Sequence, residues 1–263
     1  MSNQKLSLEG LNFQATKIDI SNNILSITLN RPEKKNALNN VMMNELNYAL
    51  AYAKQDREIR VVVIGAEGDI FCAGADLRRA KEESNVPKLE NADDISFSLR
   101  RLHKPVICKI QGSVLAGALL IVTNSTHAIA VKEAKFSAPE IHRGLWPFMV
   151  MAGLFRVMPK RAGLDFIMRG QSIDAGKAEQ WGLINQSVSA DELEKTVSDL
   201  ADELGSLAPE TMQLGLAAYE QQDALAFDEA LPYLQEQIAQ CFQGDDAKEG
   251  IAAFLEKRKP NWK

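Results

Sequence analysis

Cysteine is scarce in this chain of 263 residues: Cys72, Cys108 and Cys241 are too few and too widely spaced for a disulfide framework or a zinc site. Histidine is as sparse, with only His103, His127 and His142. Long apolar runs are missing too, since the longest, Val114 to Val122, falls far short of the roughly 20 residues that span a bilayer. Excess charge of one sign is also lacking. Thirty basic side chains face 35 acidic ones, a net charge of −5, so there is no broad electrostatic footprint for nucleic acid or an anionic membrane. Met1 to Glu9 carry neither an apolar signal core nor an Arg-rich, acid-poor leader, and the expected location is the cytoplasm.

What is present is ordinary globular composition, 46% hydrophobic and 25% charged, enough to bury a substantial core. Ile24 to Leu29, Val61 to Ile64 and Val106 to Ile110 are short runs rich in β-branched residues, which read as buried parallel strands. Between the first two, Met42, Leu46, Ala49, Leu50 and Ala53 recur at helical spacing, giving a strand–helix–strand order. Lys81 to Asp94 is polar and acidic and reads as a mobile loop leading into a helix that ends near Arg101. Ala128 to Ala130, Lys135 to Ser137 and Leu183 to Val188 are further candidate strands. Ser189 to Glu192 has capping-box spacing ahead of a helical stripe from Leu193 to Leu204. From Ala208 to Lys257 the pattern is helical almost throughout, punctuated at Pro209, Asp223 and Gly244. The expected class is therefore α/β with a C-terminal helical region.

Three segments carry chemistry. Phe71-Cys72-Ala73-Gly74-Ala75-Asp76-Leu77 is a run of mostly small residues that would let a ligand approach the backbone, although an ordinary strand-to-helix turn has the same composition. Gly112 to Leu119 follows a strand and opens an apolar helix, where unpaired amides point outward at the positive end of the helix dipole. A thioester carbonyl that becomes an enolate needs such fixed donors, and two turns could supply one amide each. A phosphate-cradling loop is the rival explanation, but neither the P-loop nor the dinucleotide-binding glycine spacing is present. The third segment, Phe136 to Pro147, places Glu140 among apolar and aromatic neighbours, where desolvation would make it a better base; alone, such a Glu would read as a surface residue.

Taken together, in this order and spacing, the three segments resemble the crotonase (enoyl-CoA hydratase/isomerase) family. So do Asn30-Arg31-Pro32-Glu33-Lys34-Lys35-Asn36-Ala37-Leu38-Asn39 near the start and Ala253 to Pro260 near the end. The resemblance implies a crotonase-like fold of repeated ββα turns, with an α/β core over residues 1–200, a helical trimerisation region over 201–263, and a homotrimer or dimer of trimers. It implies an acyl-CoA substrate and an oxyanion hole built from the backbone N–H groups of Ala75 and Gly117. Glu140 matches the proton-shuttling glutamate. Lys35, Ala37, Leu38, Ala73, Asp76, Leu77 and Lys257 match the CoA-binding surface.

The sequence departs from the hydratase pattern where Leu120 stands in place of a second glutamate, and where Leu145 to Met149, with Trp146 and Phe148, replace a small, Gly-rich run. Leu120 cannot accept a proton, so an acyl pocket lined by Leu120, Trp146 and Phe148 with a single carboxylate points to enoyl-CoA double-bond isomerisation. Hydration in fatty-acid or branched-chain acyl-CoA breakdown is the alternative, and an inert acyl-CoA-binding member of the family is a third reading. No metal or separate cofactor is expected, because amides can stabilise an enolate and CoA is part of the substrate. His142 is expected to be structural, and Cys72 to be small and packed rather than nucleophilic.

Overall fold

The structure, a computed structural model, describes residues 5–78, 83–90 and 93–262. Among the described residues ten strands run in chain order: β1 (Thr16–Ser21), β2 (Ile24–Leu29), β3 (Val61–Ala66), β4 (Ile70–Cys72), β5 (Val106–Ile110), β6 (Ser113–Leu115), β7 (His127–Val131), β8 (Lys135–Ser137), β9 (Ile173–Asp174) and β10 (Gln186–Val188). Among them lie helices α1 (Asn40–Gln55), α2 (Ile95–Arg100), α3 (Leu119–Asn124), α4 (Phe148–Val157), α5 (Lys160–Arg169) and α6 (Ala175–Gln180). After the last strand come α7 (Leu193–Gly205), α8 (Pro209–Gln222), α9 (Phe227–Gln243) and α10 (Asp245–Glu256).

The order β3-β4-α2, β5-β6-α3, β7-β8-α4 is a repeated ββα turn. The first strand of each turn enters a six-stranded sheet of order β1-β2-β3-β5-β7-β10, and the second enters a four-stranded sheet of order β4-β6-β8-β9. Within each sheet successive turns stack in parallel, so the chain climbs by one strand spacing, about 4.8 Å, per turn. β3 is buried along almost its whole length, as expected for a strand covered on both faces, and α7 packs across β3, β5 and β7.

β1 was not anticipated. It pairs antiparallel with β2 through a tight hairpin in which Asn22 and Asn23 take φ of 49° and 63°, the left-handed pair that a type I′ turn requires. Its first residue, Thr16, is fixed by the buried carboxylate of Glu45 on α1, which also accepts from the amides of Gln14 at 2.7 Å and Ala15 at 3.0 Å. The expected strand from Leu183 to Val188 shrinks to Gln186–Val188: Leu183 and Ile184 are buried without joining a ladder. Of the stretch read as a mobile loop, Lys81, Glu82, Asn91 and Ala92 lie outside the described residues; in the rest, Asn44 donates to Val86 O at 2.8 Å, Asn85 N donates to Gln14 at 3.0 Å, and Asp94 caps α2 by accepting from Ser96 N at 2.9 Å.

Pro209, read as punctuation, sits in the first turn of α8, where its missing N–H costs nothing. The next two amides, of Glu210 and Thr211, donate to the buried Asp246 of α10 at 2.8 and 3.0 Å, joining the C-terminal helices end to end. α9 and α10 expose Phe227, Ile238, Phe242, Phe254 and Leu255. No helix among the described residues is long and apolar enough to cross a membrane.

Candidate active site

β4, β6 and β8 are adjacent and parallel, paired through Cys72 with Val114 and Leu115 with Ser137. Their C-terminal ends therefore lie side by side. The residues that leave those ends are Ala73–Ala75, Ala116–Gly117 and Ala138–Glu140, the three segments singled out from the sequence. Carboxyl ends of parallel strands are where open α/β sheets place ligands, because the chain there turns away and leaves backbone groups unpaired.

The first turn is locked to the segment 35–38. Ala73 N donates to Lys35 O at 3.0 Å, Leu38 N to Gly74 O at 2.8 Å and Asp76 N to Leu38 O at 2.9 Å. In this short parallel bridge between Leu38 and Ala75, the Ala75 N–H points away from its partner and is left for another acceptor. Lys35 and Leu38 are thereby brought beside Ala73 and Asp76, with Ala37 and Leu77 next to them in the chain. Asp76 is more than a surface acid. Its carboxyl is held below the usual range by the Arg78 amide and by the charges of Arg78 and Arg31, and Arg31 also donates to Ala37 O at 2.7 Å.

Asn36, not singled out from the sequence, holds this turn together. It is fully buried; its Oδ1 accepts from Arg31 N at 2.8 Å and its Nδ2 donates to Glu67 O at 2.8 Å and Ile70 O at 2.9 Å. Lys35 and Asn36 both take left-handed φ of 52°.

Gly117 lies in a 3-10 turn, Ala116–Ala118, that leads into the six-residue α3. The expected apolar helix is thus preceded by its own strand, β6, and is shorter than its sequence suggested. Local amides supply more of the positive end than a long helix dipole would. Ala116 has φ of 52°, costly for a residue with a β-carbon by on the order of 1–3 kcal/mol. Gly74, at φ 87°, abuts it: a β-carbon there would lie 2.8 Å from Ala116 Cβ. In turn, a β-carbon on Gly117 would sit 3.5 Å from the Ala75 nitrogen. The two amide-bearing turns are therefore in backbone contact.

Glu140 sits in a second 3-10 turn, Pro139–Arg143. Burial pushes its carboxyl above the usual range, against the opposing pull of its own backbone amide and of Arg143. Its Oε2 is sealed from solvent and has no hydrogen-bond partner among the described residues. An unpaired buried carboxylate oxygen is costly and marks a group kept ready for something other than stability.

The apolar candidates divide. Leu120, on α3, and Trp146 pack partly buried against the core, and the Trp146 indole N–H donates to the Met151 sulfur at 3.2 Å. Met151 is likewise partly buried against the core, a contact that helical spacing alone did not reveal. Phe148 is 72% exposed and Leu77 69%, so in this chain neither is enclosed in a pocket. Lys257 closes α10 with φ of 54°, and among the described residues no hydrogen bond or ion pair ties it to the three strand ends. His142 is exposed and lies beside Gly170, whose built β-carbon would be 2.8 Å from its Nε2. Cys72 is buried, donates to Asn36 O at 3.0 Å, and its thiol is pushed up to about 12 by burial, which leaves it protonated and unreactive. Among the described residues no three His, Cys, Asp or Glu side chains are grouped as metal ligands.

Residues 19–263 match the sequence profile of the enoyl-CoA hydratase/isomerase family. The chain is 31% identical to the mevalonyl-coenzyme A hydratase of Aspergillus fumigatus, over 91% of either protein. It is also 31% identical to the short-chain-enoyl-CoA hydratase of Clostridium acetobutylicum, over 89% of this chain and 91% of that one. The crystal structure of an enoyl-CoA hydratase from Mycobacterium smegmatis superposes with a TM-score of 0.87 at 27% identity, covering 95% of this chain and 99% of that one. With its stacked ββα turns and these relatives along nearly its whole length, the chain belongs to the enoyl-CoA hydratase/isomerase family, the crotonase superfamily.

Proposed function

We propose that this protein isomerises the double bond of an enoyl-CoA, moving it between the 3- and 2-positions with Glu140 as the single proton shuttle. The observation that carries this reading is the sealed, unpartnered Oε2 of Glu140 next to a strand end bearing Gly117, with Leu120 where a hydratase would need a second carboxylate. Glu140 removes a proton from C2 of a 3-enoyl thioester. The electron pair moves onto the thioester oxygen, where the Ala75 and Gly117 amides receive the charge, and the same carboxyl returns the proton at C4. Proton count and charge balance, and no water is consumed. CoA enters as part of the substrate, held along residues 35–38 and 73–77 with Lys257 contributing from the last helix, and no separate cofactor is called for. Leu120, Trp146 and Phe148 line or rim the acyl pocket. The exposed apolar faces of α9 and α10 suit a trimer or a dimer of trimers in which residues 201–263 make subunit contacts.

The names of the relatives favour hydration as the second reading, with another group replacing the missing carboxylate. Absorbance of the conjugated thioester separates the two. Isomerisation makes it rise from a 3-enoyl-CoA, whereas hydration makes it fall from a 2-enoyl-CoA. A protein that does only the latter is a hydratase, and one that binds both thioesters and changes neither is the inert member of the family.

A further inference from the structure

Arg100 at the end of α2 and Arg156 near the end of α4 converge on one carboxylate oxygen of Asp223, at 3.1 and 2.7 Å. Asp223 is the C-cap of α8. One turn earlier on α8, Glu220 meets His103 Nε2 at 2.9 Å and Arg101 Nε at 3.6 Å, so the same end of α8 is fastened to the α2 region a second time. The Asp223 and Arg100 side chains are 26% and 21% exposed, which screens their interaction less than at an open surface. The Arg156 hydrogen bond above all, with Arg100 in support, holds the Asp223 carboxyl below its usual range despite partial burial.

The helices joined in this way are the two that flank α3. Both α2 and α4 pack on α3, and α4 also packs on the 3-10 turn that carries Gly117. Leu120 projects from α3, Met151 from α4, and Trp146 enters α4 with its indole fixed to Met151. A one-to-one surface ion pair adds little. Here one oxygen receives both helices, so a change at Asp223 bears on how α2 and α4 pack against α3, the helix that carries Leu120.

We propose that Asp223 is a positioning residue for acyl specificity, tying α2 and α4 to α8 and so fixing the room available beyond Leu120, Trp146 and Met151. The proposal rests on the acyl-CoA reading of the site. It assigns to the C-terminal helices a share in choosing the substrate as well as in subunit contact.

The test measures calorimetric affinity for saturated thioesters from butyryl-CoA to decanoyl-CoA in the wild-type protein, Asp223→Asn and Asp223→Glu. Alongside it, emission from Trp146 is recorded in a Trp181→Phe, Trp262→Phe background. We expect Asp223→Asn to change the affinity ratio between the longest and shortest chains by about fivefold or more, within the discrimination an apolar pocket wall can impose, and to shift Trp146 emission. Asp223→Glu should recover most of both. Should Asp223→Asn fail to fold, Arg156→Gln, which leaves the Arg100 contact in place, is expected to give the same pair of changes. Equal affinity changes at every chain length with unaltered Trp146 emission would overturn the proposal while leaving the acyl-CoA reading intact. A wild-type protein that binds none of the thioesters would overturn both.

Discussion

A β-carbon built on Gly74 would lie 3.0 Å from the Gly117 nitrogen and 2.8 Å from Leu115 O, so the turns that carry the two candidate oxyanion amides meet with no room for a side chain between them. The second turn contributes its own strain through Ala116, and the first is pinned by Leu38. The separation of the two N–H groups is thus set by backbone packing, which a bound thioester need not reorganise.

Gly74→Ala should break this arrangement. The added methyl group meets both a left-handed φ and backbone atoms that cannot swing aside. We expect destabilisation of about 1–3 kcal/mol and, in protein that still folds, a fall in kcat of roughly 10²–10³-fold from the displaced amide. Urea unfolding and steady-state kinetics read the two effects separately, and a variant with unchanged kcat would show that the contact does not set the amides.

Glu140→Gln should lower turnover by about 10²–10⁴-fold while acyl-CoA affinity stays close to wild type. Its pH behaviour has a definite sign. The folded carboxyl titrates above its unfolded value, so the native state binds more protons and loses stability as pH rises from the unfolded value through the folded one. Wild-type activity should rise over the same window as the base ionises. Relative to wild type, Glu140→Gln is therefore expected to gain in melting temperature as the pH is raised from 4 to 7, which differential scanning at several pH values would reveal; a constant difference would contradict it.

Asn36→Ala removes three hydrogen bonds from a fully buried position and strands the Glu67 and Ile70 carbonyls. A loss of about 2–4 kcal/mol in unfolding free energy is expected from the unsatisfied groups. CoA affinity should weaken as well, because segment 35–38 loses its anchor. A variant as stable as wild type would show that Arg31 and the backbone bonds hold the turn unaided.

Leu120→Glu restores a carboxylate one helical turn beyond Gly117. The ratio of hydration to isomerisation should climb by about tenfold or more if water can be held between two carboxylates, at some cost in stability because Leu120 packs against the core. Product ratios from a 2-enoyl-CoA and a 3-enoyl-CoA would decide it.

Much of the frame was legible because burial shows directly in composition: β2 and β5 coincide with β-branched runs read as strands, β8 with the further candidate Lys135 to Ser137, and α1 and α7 follow their stripes. β4 and β6 were not, since three residues are too few to display a period, β4 runs into one small-residue segment and β6 lies inside the other. The Leu183 to Val188 run shows the opposite error, for hydrophobicity reports that Leu183 and Ile184 are buried and not that they join a ladder. At the site, Ala75, Gly117 and Glu140 were legible through a joint resemblance. The left-handed turn at Ala116, the role of Asn36 and the Trp146–Met151 contact were not, because each depends on partners far away in sequence or on backbone geometry.

Turnover of a 3-enoyl-CoA and a 2-enoyl-CoA in heavy water, with product mass and deuterium position followed, tests the single-shuttle account most directly. The account predicts bond migration to the 2-enoyl thioester, with deuterium entering at C2 or C4 only as fast as the Glu140 carboxyl exchanges its proton with solvent, and loss of both in Glu140→Gln. Hydroxyacyl-CoA as the dominant product from the wild-type protein would contradict it and show that water is activated despite Leu120.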